Sequence, residues 1–234
     1  MVNIHTKNLI AACAFAGLLG TLGVAQAVVV PPGATLSLPG TTRAAQPWLQ
    51  GTVLEDEVVS FSLEATRGSG VMITGKSQQR VVREDVSGTL DFYWRITEVT
   101  GGTVGFFRLG GFVTEPFDAD YRIDGLGDLG PTSLRRFAAG SGGAGTEYYA
   151  NFAFSDPARP LSEGLSSKFM FMHTDATNYA KTGVWDVATA GTFTASDTFA
   201  AFTPAPPVPE PETYALMLAG LGVLGMVARR RKPN

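Results

Sequence analysis

The feature that most constrains the fold of this chain is a period-two alternation of apolar and polar residues. It is clearest in GTLDFYWRITEV, where one side carries Leu90, Phe92, Trp94 and Ile96 and the other carries Thr89, Asp91, Tyr93, Arg95 and Thr97. Successive side chains of a β-strand point to opposite faces, so the pattern predicts a strand with one face in a core. The following TGGT predicts a hairpin turn, with TVGFFRLGGFV as the partner strand.

The same alternation recurs along the central part of the chain. Further candidate strands are the segment containing Val59, Phe61 and Leu63, then GVMITG and RVVREDV on either side of a polar turn KSQQ, and EYYANFAF, KFMFMHT and TFTASDTFAAF. No stretch of 12 residues has helical apolar spacing with caps, and 28 glycines favour many turns. Residues 28–203 are therefore predicted to form an all-β domain, an antiparallel β-sandwich of jelly-roll-like type.

Residues 1–27 have the three parts of a secretory signal peptide. Lys7 supplies the positive charge, Leu9 to Val24 is almost entirely apolar or small, and Ala25-Gln26-Ala27 is an A-x-A cleavage pattern. We expect export through the Sec machinery and cleavage by signal peptidase after Ala27; the alternative is an uncleaved membrane anchor. The single cysteine, Cys13, lies in this segment, so the rest of the chain has no disulfide and no thiol chemistry.

The C-terminal end is predicted to be a stalk followed by one membrane span. Residues 204–213 are rich in proline, which favours an extended backbone. Residues 214–228 are apolar and, as a transmembrane helix, would extend about 22 Å at 1.5 Å per residue. Residues 229–234 form a basic cytoplasmic tail, in which Arg229, Arg230, Arg231 and Lys232 act as a cytoplasmic stop. Together the two ends predict transient anchoring in the inner membrane.

This C-terminal pattern resembles the PEP-CTERM sorting signal. The residues that carry the resemblance are Val208, Pro209, Glu210 and Pro211, then an apolar run with glycines, then the basic cluster. The resemblance implies an exosortase as partner, a membrane-embedded peptidase of Gram-negative bacteria that make exopolysaccharide. It also implies that Pro209, Glu210 and Pro211 are the motif that this peptidase reads before it cleaves nearby. The final location would be the cell envelope or the extracellular space.

The charge of the chain excludes one class of partner. Residues 28–208 contain 13 basic and 19 acidic residues. An acidic domain repels a phosphate backbone, so nucleic acid is not expected as a partner.

Four aspartates are a candidate calcium site in a segment, 114–146, that is predicted to be a loop. They are Asp118, Asp120, Asp124 and Asp128, and Gly125 and Gly127 lie among them. Calcium prefers several carboxylate and carbonyl oxygens from a flexible loop. The alternative is that these aspartates form turns and face solvent, in which case the protein has no cofactor.

Tyr93 and Arg95 lie on the predicted polar face of the clearest strand and could bind sugar, the ring by stacking and the guanidinium by hydrogen bonds. The alternative is an ordinary cross-strand pair. His173 is the one histidine outside the signal peptide, and we expect it to pack at a strand end. One histidine is too few for a histidine-based metal site, and no G-x-S-x-G sequence is present. No residue is therefore assigned as catalytic.

These features predict an exported, non-enzymatic protein that is sorted by an exosortase to the cell surface or to an exopolysaccharide matrix such as a biofilm. The alternative is a secreted carbohydrate-binding module or glycan hydrolase. The sequence itself identifies no ligand.

Overall fold

The computed structural model describes residues 28–112, 117–138, 149–192, 194–206, 216–221 and 224–226. The predicted signal peptide, the sorting residues Pro209, Glu210 and Pro211, and the basic cluster at 229–232 lie outside this part of the chain.

The described residues from 28 to 206 form fourteen β-strands and one short 3₁₀ helix, Pro47–Leu49. The strands are β1 Val28–Val29, β2 Thr35–Ser37, β3 Gly51–Glu64, β4 Met72–Glu84, β5 Leu90–Thr100, β6 Thr103–Val104, β7 Phe106–Gly110, β8 Phe117–Tyr121, β9 Ser133–Arg136, β10 Tyr149–Ala153, β11 Leu161–Ser162, β12 Met170–Thr174, β13 Asn178–Ala188 and β14 Phe199–Ala205.

The strands build two six-stranded antiparallel sheets and one short two-stranded pair, β6 with β11. The first sheet has the order β1-β8-β12-β5-β4-β3, and the second has the order β14-β13-β7-β10-β9-β2. The predicted all-β, antiparallel class is confirmed. The finer jelly-roll-like topology stays a prediction.

Aromatic rings join the two sheets in one core. Trp94 of the first sheet lies 6.2 Å from Phe107 of the second, measured between ring centroids. Phe61 of the first sheet meets Trp185 of the second edge to face at 6.5 Å, and Trp185 stacks on Phe107. These rings are almost completely buried. Burial of such large apolar surfaces is the main favourable contribution to folding here, and it fixes the two sheets face to face.

The prediction for β5 is confirmed on its apolar face and wrong on its polar face. Leu90, Phe92, Trp94 and Ile96 are at most 1% exposed. On the opposite face, however, Asp91 is 0% and Tyr93 only 5% exposed. This second face is buried because Trp48 and Leu49 of the 3₁₀ helix pack over it together with Phe169 and Phe171.

One predicted turn and one predicted hairpin are wrong. The segment KSQQ continues β4 without a break, because Ser77 and Gln79 are buried and the Gln79 amide donates hydrogen bonds to Glu57 and to the carbonyl of Ala200. The turn after β5 does not close a hairpin with β7. The chain instead crosses to the second sheet, where β7 pairs with β10 and β13.

The segment 114–146, predicted as a long loop, contains β8 and β9. β8 lies between β1 and β12 in the first sheet, so two of the four candidate calcium ligands, Asp118 and Asp120, are strand residues. Antiparallel pairing with β12 holds their backbone, and the flexible loop that the calcium prediction assumed is absent at these two positions.

The predicted stalk begins too early. β14 runs to Ala205 and pairs Pro204 with Tyr179. β14 is the outermost strand of its sheet, so one side of its backbone has no neighbouring strand in the described structure. A proline, which has no N–H to donate, is tolerated at such an edge.

Two pieces of the predicted span 214–228 are described. Residues 216–221 and 224–226 are helical, and their side chains are exposed. Within the described residues, no helix has the length and apolar character needed to cross a bilayer. The transmembrane helix stays a prediction.

Candidate functional site

The outer face of the first sheet, which points away from the shared core, carries the candidate site. The segment Phe169–Met172, which includes the start of β12, is apolar on both faces. Met170 and Met172 pack toward the shared core, and Phe169 and Phe171 point outward. The outward rings pack with Leu49, Val82, Tyr93 and Trp48 in a second, smaller apolar cluster. Polar groups placed beside this cluster are therefore shielded from water.

The pairing of β4, β5 and β12 brings three ionisable side chains together on this outer face. His173 of β12 lies opposite Asp91 of β5, and Asp91 lies opposite Val82 of β4. Glu84 follows two residues after Val82, so it points to the same face. His173 Nδ1 lies 2.8 Å from Asp91 Oδ1 and 2.7 Å from Glu84 Oε1. We call these three residues the Glu84–Asp91–His173 cluster.

Neighbouring groups hold each member of the cluster. The Tyr93 hydroxyl donates to Asp91 Oδ2 at 3.2 Å, and the Ser87 hydroxyl donates to Glu84 Oε2. Trp48 stacks on the imidazole of His173 with 4.1 Å between ring centroids and 27° between the planes. The cluster is thus positioned by the three strands β4, β5 and β12, by the turn between β4 and β5, and by the 3₁₀ helix.

Burial and charge shift the pKa values of the cluster. Burial is the largest effect on Asp91 and raises the pKa of that carboxyl to about 6, although the hydrogen bond and positive charge of His173 oppose it. Burial alone would lower the pKa of His173. The hydrogen bond to Asp91 and the negative charges of Asp91, Glu84 and Asp118 outweigh burial and raise it. Burial, followed by the charge of Asp91, raises the pKa of Tyr93 well above its ordinary value.

A cavity of about 250 Å³ opens beside the cluster on the same face. Its lining combines two arginines, Arg80 and Arg122, with the rings of Tyr93 and Phe169. The remaining lining residues are Leu49, Gly51, Val53, Val82, Gly125 and Leu126. The cavity therefore offers both positive charge and apolar surface to a small ligand.

The two arginines of the cavity have acidic partners. Arg80 pairs with Asp56 at 2.8 Å, and Arg122 pairs with Asp124 at 2.7 Å. The guanidinium of Arg80 also lies over the Phe169 ring, 4.7 Å from its centroid. These contacts fix the position of the guanidinium groups at the cavity wall.

The two predicted sugar-binding residues, Tyr93 and Arg95, lie at or near this cavity, but they are less exposed than the sequence predicts. Tyr93 lines the cavity, yet its ring is buried, so the expectation of an exposed stacking platform is wrong. Arg95 is half-buried and lies over the Phe169 ring at 5.0 Å from the ring centroid. Sugar binding by these two residues stays a prediction.

The structure does not gather the four aspartates of the calcium prediction. Asp120 is buried and accepts hydrogen bonds from the backbone N–H groups of Gly40 and Tyr121. Asp124 pairs with Arg122, and Asp128 accepts from the N–H and hydroxyl groups of Ser166. In the described part of the chain, Glu84, Asp91 and His173 form the one group of three or more acidic or histidine side chains whose ligand atoms all lie within 4.8 Å of one another. No three of the four aspartates satisfy that distance.

The sequence interpretation missed the cluster. It placed His173 near a strand end, where β12 has it, but it did not connect His173 with Asp91 or Glu84. Those pairs depend on the strand order, which period-two alternation does not determine. One signal was present, because the run FMFM in KFMFMHT is apolar at every position and is typical of a strand buried on both faces.

Comparison with known proteins identifies the C-terminal segment. Residues 207–232 match the PEP-CTERM protein-sorting motif, which confirms the resemblance drawn from the sequence. The match supports an exported protein that is targeted to an exosortase. No curated protein matches the chain, and no solved structure matches it.

Proposed function

We propose that this chain is a non-enzymatic component of the cell surface or of an exopolysaccharide matrix, delivered there by its PEP-CTERM motif. The Sec machinery exports the chain and signal peptidase removes residues 1–27. The C-terminal helix holds the chain transiently in the inner membrane. The exosortase then cleaves near Pro209, Glu210 and Pro211 and releases the β-domain to the envelope or the extracellular space.

The observation that carries this proposal is the short distance between the folded domain and the motif. The last strand, β14, ends at Ala205, and the matched segment starts at residue 207. Four prolines follow the last strand, at positions 206, 207, 209 and 211, and they favour an extended backbone there. A peptidase binds an extended backbone most readily, so cleavage there would release the domain without unfolding it.

We expect the double substitution Pro209→Ala with Glu210→Ala to block C-terminal processing. The substituted residues follow the last strand and two alanines there should cost the fold little stability. The variant should accumulate uncut in the membrane fraction, with its β-domain still resistant to protease. The measurement is the intact mass of the protein in the membrane, surface and medium fractions.

Pro206→Ala is the matched control, because it removes a proline just before the matched segment. This control should be processed as the parent chain is. Unchanged delivery of the double variant to the surface would show that the motif is not the recognition element. Degradation of the double variant as an unfolded chain would show that residues 209 and 210 belong to the fold.

The cavity on the outer face favours a second candidate, a carbohydrate-binding module. The two guanidinium groups on the cavity wall suit an anionic sugar, because arginine pairs with carboxylates. We expect the protein to bind acidic polysaccharide from its host more tightly than neutral polysaccharide. Arg122→Ala should weaken that binding, whereas Arg67→Ala in an exposed turn should not. Equal binding of both variants would exclude this cavity as the site.

The geometry supports a binding role over a glycan hydrolase. A glycosidase needs two carboxyl groups on either side of an accessible glycosidic bond. Glu84 and Asp91 are close together, but both are buried against His173 and neither lines the described cavity. Release of reducing sugar from host polysaccharide by the purified protein would contradict this preference.

A further inference from the structure

We propose that Glu84, Asp91 and His173 bind one divalent transition-metal ion of the zinc class. The three potential ligand atoms, Glu84 Oε1, Asp91 Oδ1 and His173 Nδ1, all lie within 4.8 Å of one another. They come from three neighbouring strands of one sheet, so their backbone positions are fixed by the antiparallel ladder. The site is independent of the sorting motif and of the cavity.

One ligand atom of the cluster has no hydrogen-bond donor. Glu84 is 3% exposed, and its Oε1 is buried and receives no hydrogen bond. His173 Nδ1 lies 2.7 Å away, but an imidazole nitrogen carries at most one hydrogen, and the hydrogen-bond geometry at Nδ1 favours Asp91 Oδ1 over Glu84 Oε1. A buried carboxylate oxygen without a donor is unfavourable. A cation between the three atoms would give Glu84 Oε1 the electrostatic partner that it lacks.

The oxygens that do not face the common point are already held. Asp91 Oδ2 accepts from the Tyr93 hydroxyl, and Glu84 Oε2 accepts from the Ser87 hydroxyl. Hydrogen bonds of this kind orient the ligands of metal sites, because they leave the second oxygen of each carboxylate free to coordinate. Trp48 stacks on the imidazole and limits its rotation. The two carboxylates and the imidazole are therefore oriented before an ion arrives.

The donor set indicates which ion fits. One imidazole nitrogen with two carboxylate oxygens suits Zn²⁺, whereas Ca²⁺ takes about six to eight oxygen ligands. Zinc lies about 2.0–2.2 Å from such ligands, so tetrahedral donors stand about 3.4 Å apart. The Nδ1–Oδ1 distance of 2.8 Å would lengthen by roughly half an ångström, which side-chain torsions can supply. One histidine is thus sufficient when two buried carboxylates accompany it.

The test is metal binding to the purified full chain. The protein is stripped with a chelator, dialysed, and titrated with Zn²⁺, Mn²⁺ or Ca²⁺ by calorimetry, with elemental analysis of the dialysed product. We expect one Zn²⁺ per chain and a rise in the unfolding midpoint, because the ion binds the native state. We expect Ca²⁺ to bind at least 100-fold more weakly. Absence of stoichiometric Zn²⁺, or equal binding of Ca²⁺, would overturn the proposal.

Variants of the cluster residues test whether the ion binds at Glu84, Asp91 and His173. Glu84→Gln and His173→Gln each remove one ligand with little change in volume, and each should weaken Zn²⁺ affinity at least tenfold. Asp186→Asn is the matched control, because Asp186 is also a buried carboxylate but pairs with Arg108 in the second sheet. It should keep one Zn²⁺ per chain. Binding unchanged in both ligand variants would overturn the assignment.

A second readout does not depend on how well the ligand variants fold. Trp48 is the tryptophan that stacks on His173, whereas Trp94 and Trp185 lie in the shared core. Paramagnetic Co²⁺ at the cluster should quench Trp48 fluorescence, and Zn²⁺ should reverse the quenching by displacing it. Trp48→Phe should abolish most of the change. Quenching that survives in Trp48→Phe would place the ion elsewhere and overturn the proposal.

Discussion

At the scale of single residues, Asp120 shows how the fold keeps a carboxyl group where water cannot reach it. Its Oδ1 accepts two backbone N–H groups, while its Oδ2 is buried without a partner. Burial is the larger effect and raises the pKa to about 6, against the two hydrogen bonds that lower it. The carboxyl group of Asp120 therefore stays protonated to a higher pH in the folded protein than in the unfolded chain, where an aspartate has a pKa near 3.9.

The sign of the pH dependence follows from this difference. The contribution of Asp120 to stability is fully present below the unfolded pKa and is lost as pH rises through about 6. Asp120→Asn keeps an acceptor for Gly40 and Tyr121 and removes the charge. We expect it to stabilise the full chain at pH 8 by on the order of 1 kcal/mol, with no gain at pH 3.5. Thermal unfolding at the two pH values measures this.

Asp124 provides a control, because its pKa is shifted in the opposite direction from that of Asp120. Burial would raise its pKa, but the hydrogen bonds from Arg122 and from the Arg43 backbone outweigh burial and lower it. Its contribution is present above the unfolded pKa and is lost as pH falls through the folded pKa. Asp124→Asn should therefore destabilise the protein at pH 8. A gain in both variants at pH 8 would mean that general charge reduction is responsible.

At the scale of the elements, two turn glycines have similar backbone conformations but differ in the space around them. Gly101, which follows β5, has φ of +74°, and an added Cβ would lie 2.1 Å from the carbonyl oxygen of Met72. Gly88, in the turn between β4 and β5, has nearly the same φ of +75° but has no atom within 4 Å of such a Cβ. A substitution at Gly88 therefore introduces backbone strain alone, whereas a substitution at Gly101 introduces backbone strain and a steric overlap.

We expect Gly101→Ala to destabilise the protein far more than Gly88→Ala. The change at Gly88 should cost about 1 kcal/mol, the usual penalty of a left-handed conformation for a residue with a Cβ. The change at Gly101 adds displacement of the Met72 carbonyl at the start of β4 and should cost at least about 3 kcal/mol. Chemical denaturation of both variants gives the comparison. Equal costs would show that the Met72 backbone moves away freely.

The elements also show how far sequence reasoning reaches. Alternation identified β5 and the class of fold, because burial of Leu90, Phe92, Trp94 and Ile96 leaves a local trace. It did not identify the neighbours of β5, which are β4 and the distant β12. The Glu84–Asp91–His173 cluster was missed for the same reason, since the strand order places His173 beside residues more than 80 positions earlier. Local hydropathy contains no record of such pairing.

At the scale of the whole molecule, the A-x-A pattern at residues 25–27 predicts that the mature protein starts at Val28. Val28 and Val29 belong to β1, which pairs with Ala119 and Asp118 at the edge of the first sheet, so cleavage after Ala27 would keep this strand in the mature chain. Intact-mass analysis of envelope material tests this. Mature protein that retains Met1 would show that the N-terminal segment is an uncleaved anchor.

The long strand β3 has a consequence for how this protein behaves among copies of itself. β3 has 14 residues, about 46 Å at 3.3 Å per residue, and β4 is the one described strand that pairs with it. Its exposed Val53, Leu54 and Val58 would make this free edge a template for aggregation. Glu55, Asp56 and Glu57 interrupt that apolar edge with ionised side chains, of which Asp56 pairs with Arg80 and Glu57 with Lys181. An approaching copy would have to remove water from these ionised side chains to pair with β3, so the edge is protected against growing into a fibril.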